Sequence, residues 1–267
     1  MCTYKKYVCL ISLVLLLGMV GNVSAVDRNW TNTNGNRLWT TAANWSGSVV
    51  PTSADKACIR SSTILDPIIQ SGMTAVANEI VVGDGSSTND TLDMTGGTLT
   101  TSGANAWIIL GYNAANKGTF TLSAGTVTTP DNFFVGFSGK GYVQMTGGSI
   151  TVGLVFGIAQ NTGSIADVNL YGGTITVNGT FTMSSGGGLD ITTGTLIVNG
   201  DVTTLINTYI TNGWITAYGG VGVVNVSYNT PNVGKTTVTA SSGGPPGQAS
   251  TPNPANAATG IGITNDL

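Results

Sequence analysis

Histidine is absent from all 267 residues, and glutamate occurs once, as Glu79. These two absences remove whole classes of chemistry. A Ser-His-Asp triad and a histidine-based zinc site are both out of reach. Charge is scarce altogether, with nine Lys plus Arg against twelve Asp plus Glu. Arginine occurs only as Arg28, Arg37 and Arg60, all early in the chain. No basic stripe exists to neutralise phosphates, so nucleic acid is not an expected partner. The aspartates are mostly isolated in sequence, which offers no obvious pair of carboxylates of the kind glycosidases use.

Long apolar runs are also missing, apart from one at the start. Lys5 and Lys6 precede the almost wholly apolar stretch 8–20, and Val23-Ser24-Ala25 supplies a small-residue cleavage site. Residues 1–25 therefore read as a signal peptide. The run is short for a span of about 20 residues, and no stop-transfer charges follow it. The expectation is a secreted or cell-surface protein with no membrane span after cleavage. Two of the three cysteines, Cys2 and Cys9, leave with the signal, so Cys58 has no internal disulfide partner. In "DKACIRSS" it reads as a small buried hydrophobe. Cleavage leaves seven basic and twelve acidic groups, a net charge near minus five.

What is abundant is glycine, 39 residues, alongside Thr, Ser and Asn, while hydrophobic residues still reach 41%. Disordered segments lack that apolar share. A seven-residue pattern recurs: "MTGGTLT" (94–100), "LSAGTVT" (122–128), "MTGGSIT" (145–151), "LYGGTIT" (170–176) and "ITTGTLI" (191–197). Its glycines are Gly97, Gly125, Gly148, Gly173 and Gly194, spaced by 28, 23, 25 and 21 residues. Each is preceded by an alternating apolar pair: Leu92/Met94, Phe120/Leu122, Val143/Met145, Val168/Leu170 and Leu189/Ile191. Each is followed two residues later by Leu99, Val127, Ile150, Ile175 or Leu196. Alternation of period two marks a strand with one buried face. The interval from the second apolar residue to the third is odd, so alternation resets at the glycine, as at a corner. Upstream anchors "VVG" (81–83), "ILG" (109–111), "FVG" (134–136) and "VFG" (155–157) mark a second corner in the first four copies. No helical periodicity is read outside the signal.

A unit this short cannot bury its apolar face alone. Stacked about 4.8 Å apart, successive units share a continuous core. The expected fold is all-β: a right-handed parallel β-helix, or β-solenoid, of about five coils of 21–28 residues. Its predicted parts are a signal (1–25), a cap with the first strands (26–79) and the repeats (80–205). Irregular closing strands (206–241) and a Pro/Gly/Ala-rich linker (242–267) follow. Trp30, Trp39 and Trp45 are expected to pack over the first coil, because an open solenoid exposes unpaired strand edges. Carbohydrate stacking on the tryptophans is the alternative.

The "L-x-M-T-G-G-T-L-T" units joined by "IILGY" resemble those of secreted bacterial β-solenoid proteins, including autotransporter-type passenger regions and other surface repeat proteins. The opening "NWTNTNGNRLWTTAANWSGSVVPTSADKACI" (29–59) is similar to the first segment of such proteins, and the likeness covers about residues 29–205. It implies a surface stalk or adhesion module that contacts extracellular glycans or matrix. "PNPANAATGIGITNDL" resembles the lead-in to an immunoglobulin-like or fibronectin-like module, which implies that the chain continues into a longer parent.

Three other readings attach to particular residues. Parallel β-helix polysaccharide lyases and hydrolases carry an acidic cluster with Arg or Lys on one face. Here the outward slots read Asp93, Thr121, Gln144, Asn169 and Asp190, so no acidic face is expected and no catalytic residue is assigned. "GDGSSTND" (83–90) alternates Asp84, Ser86, Thr88 and Asp90, with Asp93 nearby, which suits calcium. It lacks the glycine and terminal glutamate of an EF-hand, so a polar loop without a cofactor is the expectation. Finally, Thr98, Thr100, Thr126, Thr128, Thr151, Thr174 and Thr176, interrupted by Ser149 and Ile197, form an outward ladder if the coils stack in register. Ice-binding solenoids present similar rows. Threonine is also simply a good exposed strand residue.

Overall fold

The computed structural model describes residues 25–60, 65–85 and 89–243. The expected signal peptide and nearly all of the expected linker lie outside the described residues. The alternating pattern does build a β-solenoid, of about 7 turns. Seven strands form the first face: Val26–Asn29, Asp55–Ile59, Glu79–Val82, Ile108–Leu110, Phe133–Val135, Val155–Ile158 and Thr180–Met183. All their pairings are parallel.

A second sheet, of thirteen strands, wraps a corner and supplies two further faces. Asp90–Thr101 and Lys117–Thr129 run across both. Later coils divide there, into Lys140–Met145 and Ser149–Val152, then Ile165–Leu170 and Thr174–Val177, then Gly187–Ile191 and Thr195–Asn199. The half before the corner is called the middle face below, and the half after it the threonine face.

Register explains the repeat. Leu92, Phe120, Val143, Val168, Leu189 and Ile215 stand in one inward column, each paired with the next. Leu99, Val127, Ile150, Ile175, Leu196 and Val238 form another. All are at most 1% exposed, so each coil's apolar face is covered only by its neighbours. An aromatic chain threads this core. Phe120, Phe133, Phe156, Phe181 and Tyr209 follow one another at 6.3, 5.7, 5.8 and 5.9 Å between ring centroids.

The corner glycines act as expected in four coils of five. Gly97, Gly125, Gly148 and Gly173 have φ of 74°, 100°, 76° and 77°. A Cβ on Gly125, Gly148 or Gly173 would come within 2.5–2.7 Å of the carbonyl oxygen of the preceding corner glycine. The motif thus combines a left-handed bend with a close backbone stack. Gly194 departs from it: its φ is not positive, and a Cβ there would overlap Leu170. The anchor "VFG" is also corrected. Ile158 pairs with Val135, so the residue level with Gly136 is Ala159 (φ 57°), while Gly157 lies inside the strand beside Phe134. A Cβ at Gly157 would stand 2.5 Å from the Gln160 Oε1 and 2.9 Å from the Phe134 ring.

Two further departures concern the ends. The segment read as cap and first strands already coils, because Val26–Asn29 and Asp55–Ile59 are full members of the first face. The tryptophans belong to an excursion between these two strands. Trp39 and Trp45 pack edge-to-face at 4.7 Å, and Trp30 and Trp45 at 5.0 Å. The Trp45 indole donates to the Trp39 carbonyl at 2.7 Å. All three rings are buried, which makes them a lid on the core and removes them as a sugar platform.

At the other end the chain forms a helix, α1 (Thr203–Thr211), where only strands were expected. Its sequence, TTLINTYIT, is too short and Thr-rich to declare a helix on propensity. Burial decides instead. Ile206 and Tyr209 seat in the open end of the core, and the Tyr209 hydroxyl accepts the Met183 N–H at 3.2 Å. The Asp201 carboxylate accepts the N–H and hydroxyl of Thr203 at the helix start, at 3.1 and 2.8 Å. Ile215–Ala217 adds one last parallel strand to the middle face. The hairpin Val223–Tyr228 and Lys235–Ser241 then lies antiparallel on Thr195–Asn199 and closes the threonine face.

Candidate functional site

The three outer faces differ in chemistry, and the threonine face is the most regular. Thr74, Thr98, Thr126, Ser149, Thr174 and Thr195 stand in one row. Val76, Thr100, Thr128, Thr151, Thr176 and Ile197 stand in the next. Every residue assigned to the ladder from sequence is therefore in register. Thr98, Thr126 and Thr128 are exposed, and the other four are half-buried.

The first face carries an unexpected feature. Val81, Ile109 and Phe134 point away from the main core yet are at most 5% exposed. Trp107, Tyr112, Phe137 and Val155 pack over them, with Trp107 edge-on to Phe134 at 5.7 Å and Tyr112 stacked on Phe137 at 5.6 Å. The Lys56 ammonium lies 5.3 Å from the Tyr112 centroid and 3.7 Å from Glu79. This face is thus sealed by its own aromatic residues.

Charges concentrate in the first coils and bind one another. Arg28 meets Asp55 at 3.0 Å and Arg37 meets Asp93 at 2.6 Å. Arg60 meets Asp27 and Asp84, each at 3.5 Å, and donates to Asn29. The carboxylates considered for calcium do not converge. Asp84 and Asp93 sit on different arginines, Asp90 is wholly buried, and Ser86 and Thr88 lie outside the described residues. Among the described residues no group of three or more Cys, Asp or Glu is arranged to hold a metal ion. Cys58 is fully buried, and burial pushes its thiol up to about 12, so it is inert as a nucleophile.

Asp66 stands out among the acids. Burial raises its carboxyl to about 6 against hydrogen bonds from Thr91, with Asp93 adding to the rise and Arg37 opposing it. The folded value lies above the unfolded one, so the native state holds the proton more tightly between about pH 4 and 6. Stability contributed at this site is present below that window and falls as pH rises through it. Asp66→Asn is expected to stabilise the protein at pH 7 by about 1–2 kcal/mol. The full shift corresponds to roughly 3 kcal/mol, lowered because the group is partly solvated. Below pH 4 the two proteins should unfold alike, and urea midpoints measured across pH 3–8 check this.

The middle face carries a surface concavity built by its outward column. Its outward column reads Asp93, Thr121, Gln144, Asn169, Asp190 and Thr216, as expected up to Asp190. No acidic strip results. Beside the last three members the surface dips into an open concavity of about 620 Å³, lined also by Tyr171, Thr192, Tyr218, Gly219 and Val221. Tyr171, Thr192 and Tyr218 each directly follow the last paired residue of three successive strands, Leu170, Ile191 and Ala217.

Local chemistry fixes this arrangement. The Asp190 Oδ1 accepts the Thr216 hydroxyl at 2.7 Å and the Gly219 N–H at 2.9 Å. Those bonds hold the turn in which Tyr218, Gly219 and Gly220 have φ of 52°, 66° and 90°. Left-handed backbone at a tyrosine costs about 1–2 kcal/mol. Such strain persists where surrounding contacts over-determine it, and it gathers at functional sites. Asp190 makes no ion pair among the described residues.

The repeat pattern places Asn169 and Asp190 outward but does not by itself mark the tyrosines. A signal for Tyr171 lies in the second letter of the repeat, which reads Thr95, Ser123, Thr146, Tyr171 and Thr192. Four small hydroxyl residues and one tyrosine mark the exception. Comparison with protein-family models, curated proteins and solved structures finds no match.

Proposed function

We propose that this chain is a non-catalytic solenoid module of a secreted or surface-exposed protein, serving as a stalk and an interaction surface. The carrying observation is closure at both ends. A tryptophan lid and the α1-plus-hairpin plug let a parallel stack stop without an open core, as a rod standing free in solution requires. The reading is also supported by the engagement of all three guanidinium groups in the first coils, which leaves the later faces without arginine. Bacterial origin, export and contact with glycans or matrix belong to the same proposal.

Export is tested by expressing the full chain in a bacterial host and fractionating the cells. A processed protein beginning at Val26 outside the cytoplasm is expected. Retention in the cytoplasm with residues 1–25 intact would sink the secreted reading. A second reading, cleavage of a polysaccharide, draws on the raised Asp66 carboxyl near Asp93 and Arg37. A reducing-end assay on neutral and acidic polysaccharides decides it, because release that Asp66→Asn abolishes would replace the non-catalytic proposal.

A further inference from the structure

We propose that the concavity on the middle face is a saccharide-binding site, and that it takes a neutral pyranose rather than an acidic one. This rests on reading the chain as an interaction module and names the ligand class of one of its faces.

Two kinds of group meet there. Tyr171, 41% exposed, and Tyr218 supply apolar ring surface at either side of the small residue Thr192. Aromatic side chains left partly in water offer large, rigid contact area at low entropic cost. Asn169, Thr192, Thr216 and the second oxygen of Asp190 supply the polar groups. Few and convergent polar groups on an otherwise apolar lining are the general pattern of a small-molecule site. A pyranose matches both parts, with a C–H face for the tyrosines and a rim of hydroxyls for the amide, hydroxyls and carboxylate. Hydrogen bonds to an ionised carboxylate are the stronger kind.

Charge then selects among sugars. No Lys or Arg lines the concavity, and Asp190 has no cationic partner there. A uronate or sulfate would bring like charge against Asp190, so acidic glycans are rejected. A peptide adding as a strand is disfavoured on the floor of the site, because Gly187–Ile191 is already paired on both sides.

The test is an amide-resolved NMR titration of the full chain with cellohexaose, xylohexaose, mannohexaose and laminarihexaose, and with hexagalacturonate. Concentrations run to about 10 mM, above the ~1 mM range of weak contacts. At least one neutral hexaose is expected to shift the Thr192, Thr216 and Gly219 amides, while hexagalacturonate leaves them in place. Tyr171→Ala removes an exposed ring from the surface and should weaken that binding about tenfold or more. Asp190→Asn keeps an acceptor for Thr216 and Gly219, and should weaken the neutral sugar while admitting hexagalacturonate. The site is overturned if no neutral hexaose shifts these amides, if Tyr171→Ala binds like the parent with an unchanged spectrum elsewhere, or if hexagalacturonate binds the parent as well as the best neutral sugar. Any of these outcomes leaves the export experiment, and the module reading it tests, standing separately.

Discussion

Gly141→Ala is expected to cost about 3 kcal/mol or more of stability, an exceptional loss for a single methyl group. Gly141 lies inside Lys140–Met145, with a φ that alanine adopts freely. The obstacle is space. A Cβ there would overlap the Gly136 nitrogen and stand 2.6 Å from the Val135 carbonyl carbon, both backbone atoms of the neighbouring face. Backbone cannot swing aside as a side chain does. Gly118, one coil earlier in the same column, is blocked likewise by Val82 and Gly111. Gly163→Ala is the control. Its φ is 84° but nothing lies within 4 Å of the added carbon, so only conformational strain of about 1–2 kcal/mol applies. Urea unfolding of both variants checks the order. Because each coil touches only its neighbours, Gly141→Ala should also broaden the transition, as coils on either side of the fault lose their coupling. A Gly141→Ala protein as stable as Gly163→Ala would contradict the close approach of these two faces.

Phe156→Ala should cost about 3–5 kcal/mol, measured in the same way. The ring is fully buried between Phe133 at 5.7 Å and Phe181 at 5.8 Å, midway along the aromatic chain. Removing it leaves a cavity inside a stack whose neighbours are held by backbone pairing and cannot collapse into the gap. Phe156→Leu refills most of the volume and should recover more than half of the loss. Equal losses for the two variants would mean that ring-to-ring contact, and not volume, sets the stability here.

The solenoid was legible because its rule recurs in five successive copies between 94 and 197. Alternating apolar residues before a glycine, and one after it, fix which side chains point inward, and the register follows. Where a coil obeys another rule the sequence reading stops short. The first turns lack the MTGGT motif, and a tryptophan excursion separates their strands, so the sequence shows a cap with first strands there but not that two of those strands are full members of the first face. The 155–157 anchor was set two residues early because a glycine inside the strand resembles a corner, while the corner itself is Ala159. Helix α1 is stable through Ile206 and Tyr209 filling the end of the core, a tertiary cause that local propensity does not carry. The outward aromatic cluster hid for a related reason. Val81, Ile109 and Phe134 look like core residues in a buried run, and they are buried, but outside the coil. Of the surface sites, the threonine rows were legible residue by residue. The tyrosine concavity was not, because it requires knowing that Tyr171 and Tyr218 line one hollow across 47 residues of chain.

The reversal of strand direction at Thr195–Asn199 bears on how such a molecule changes length over generations. Beyond that strand the partner is antiparallel, and among the first described strands the tryptophan excursion separates Val26–Asn29 from Asp55–Ile59. Between Lys117 and Val177, by contrast, the coil meets parallel neighbours on both sides. Duplicating one such unit inserts a layer of about 4.8 Å and creates no new edge. Both terminal structures stay as they were, and the tyrosine concavity keeps its distance from the closing end. The rod grows from its middle, as a column gains height by adding drums beneath an unchanged capital.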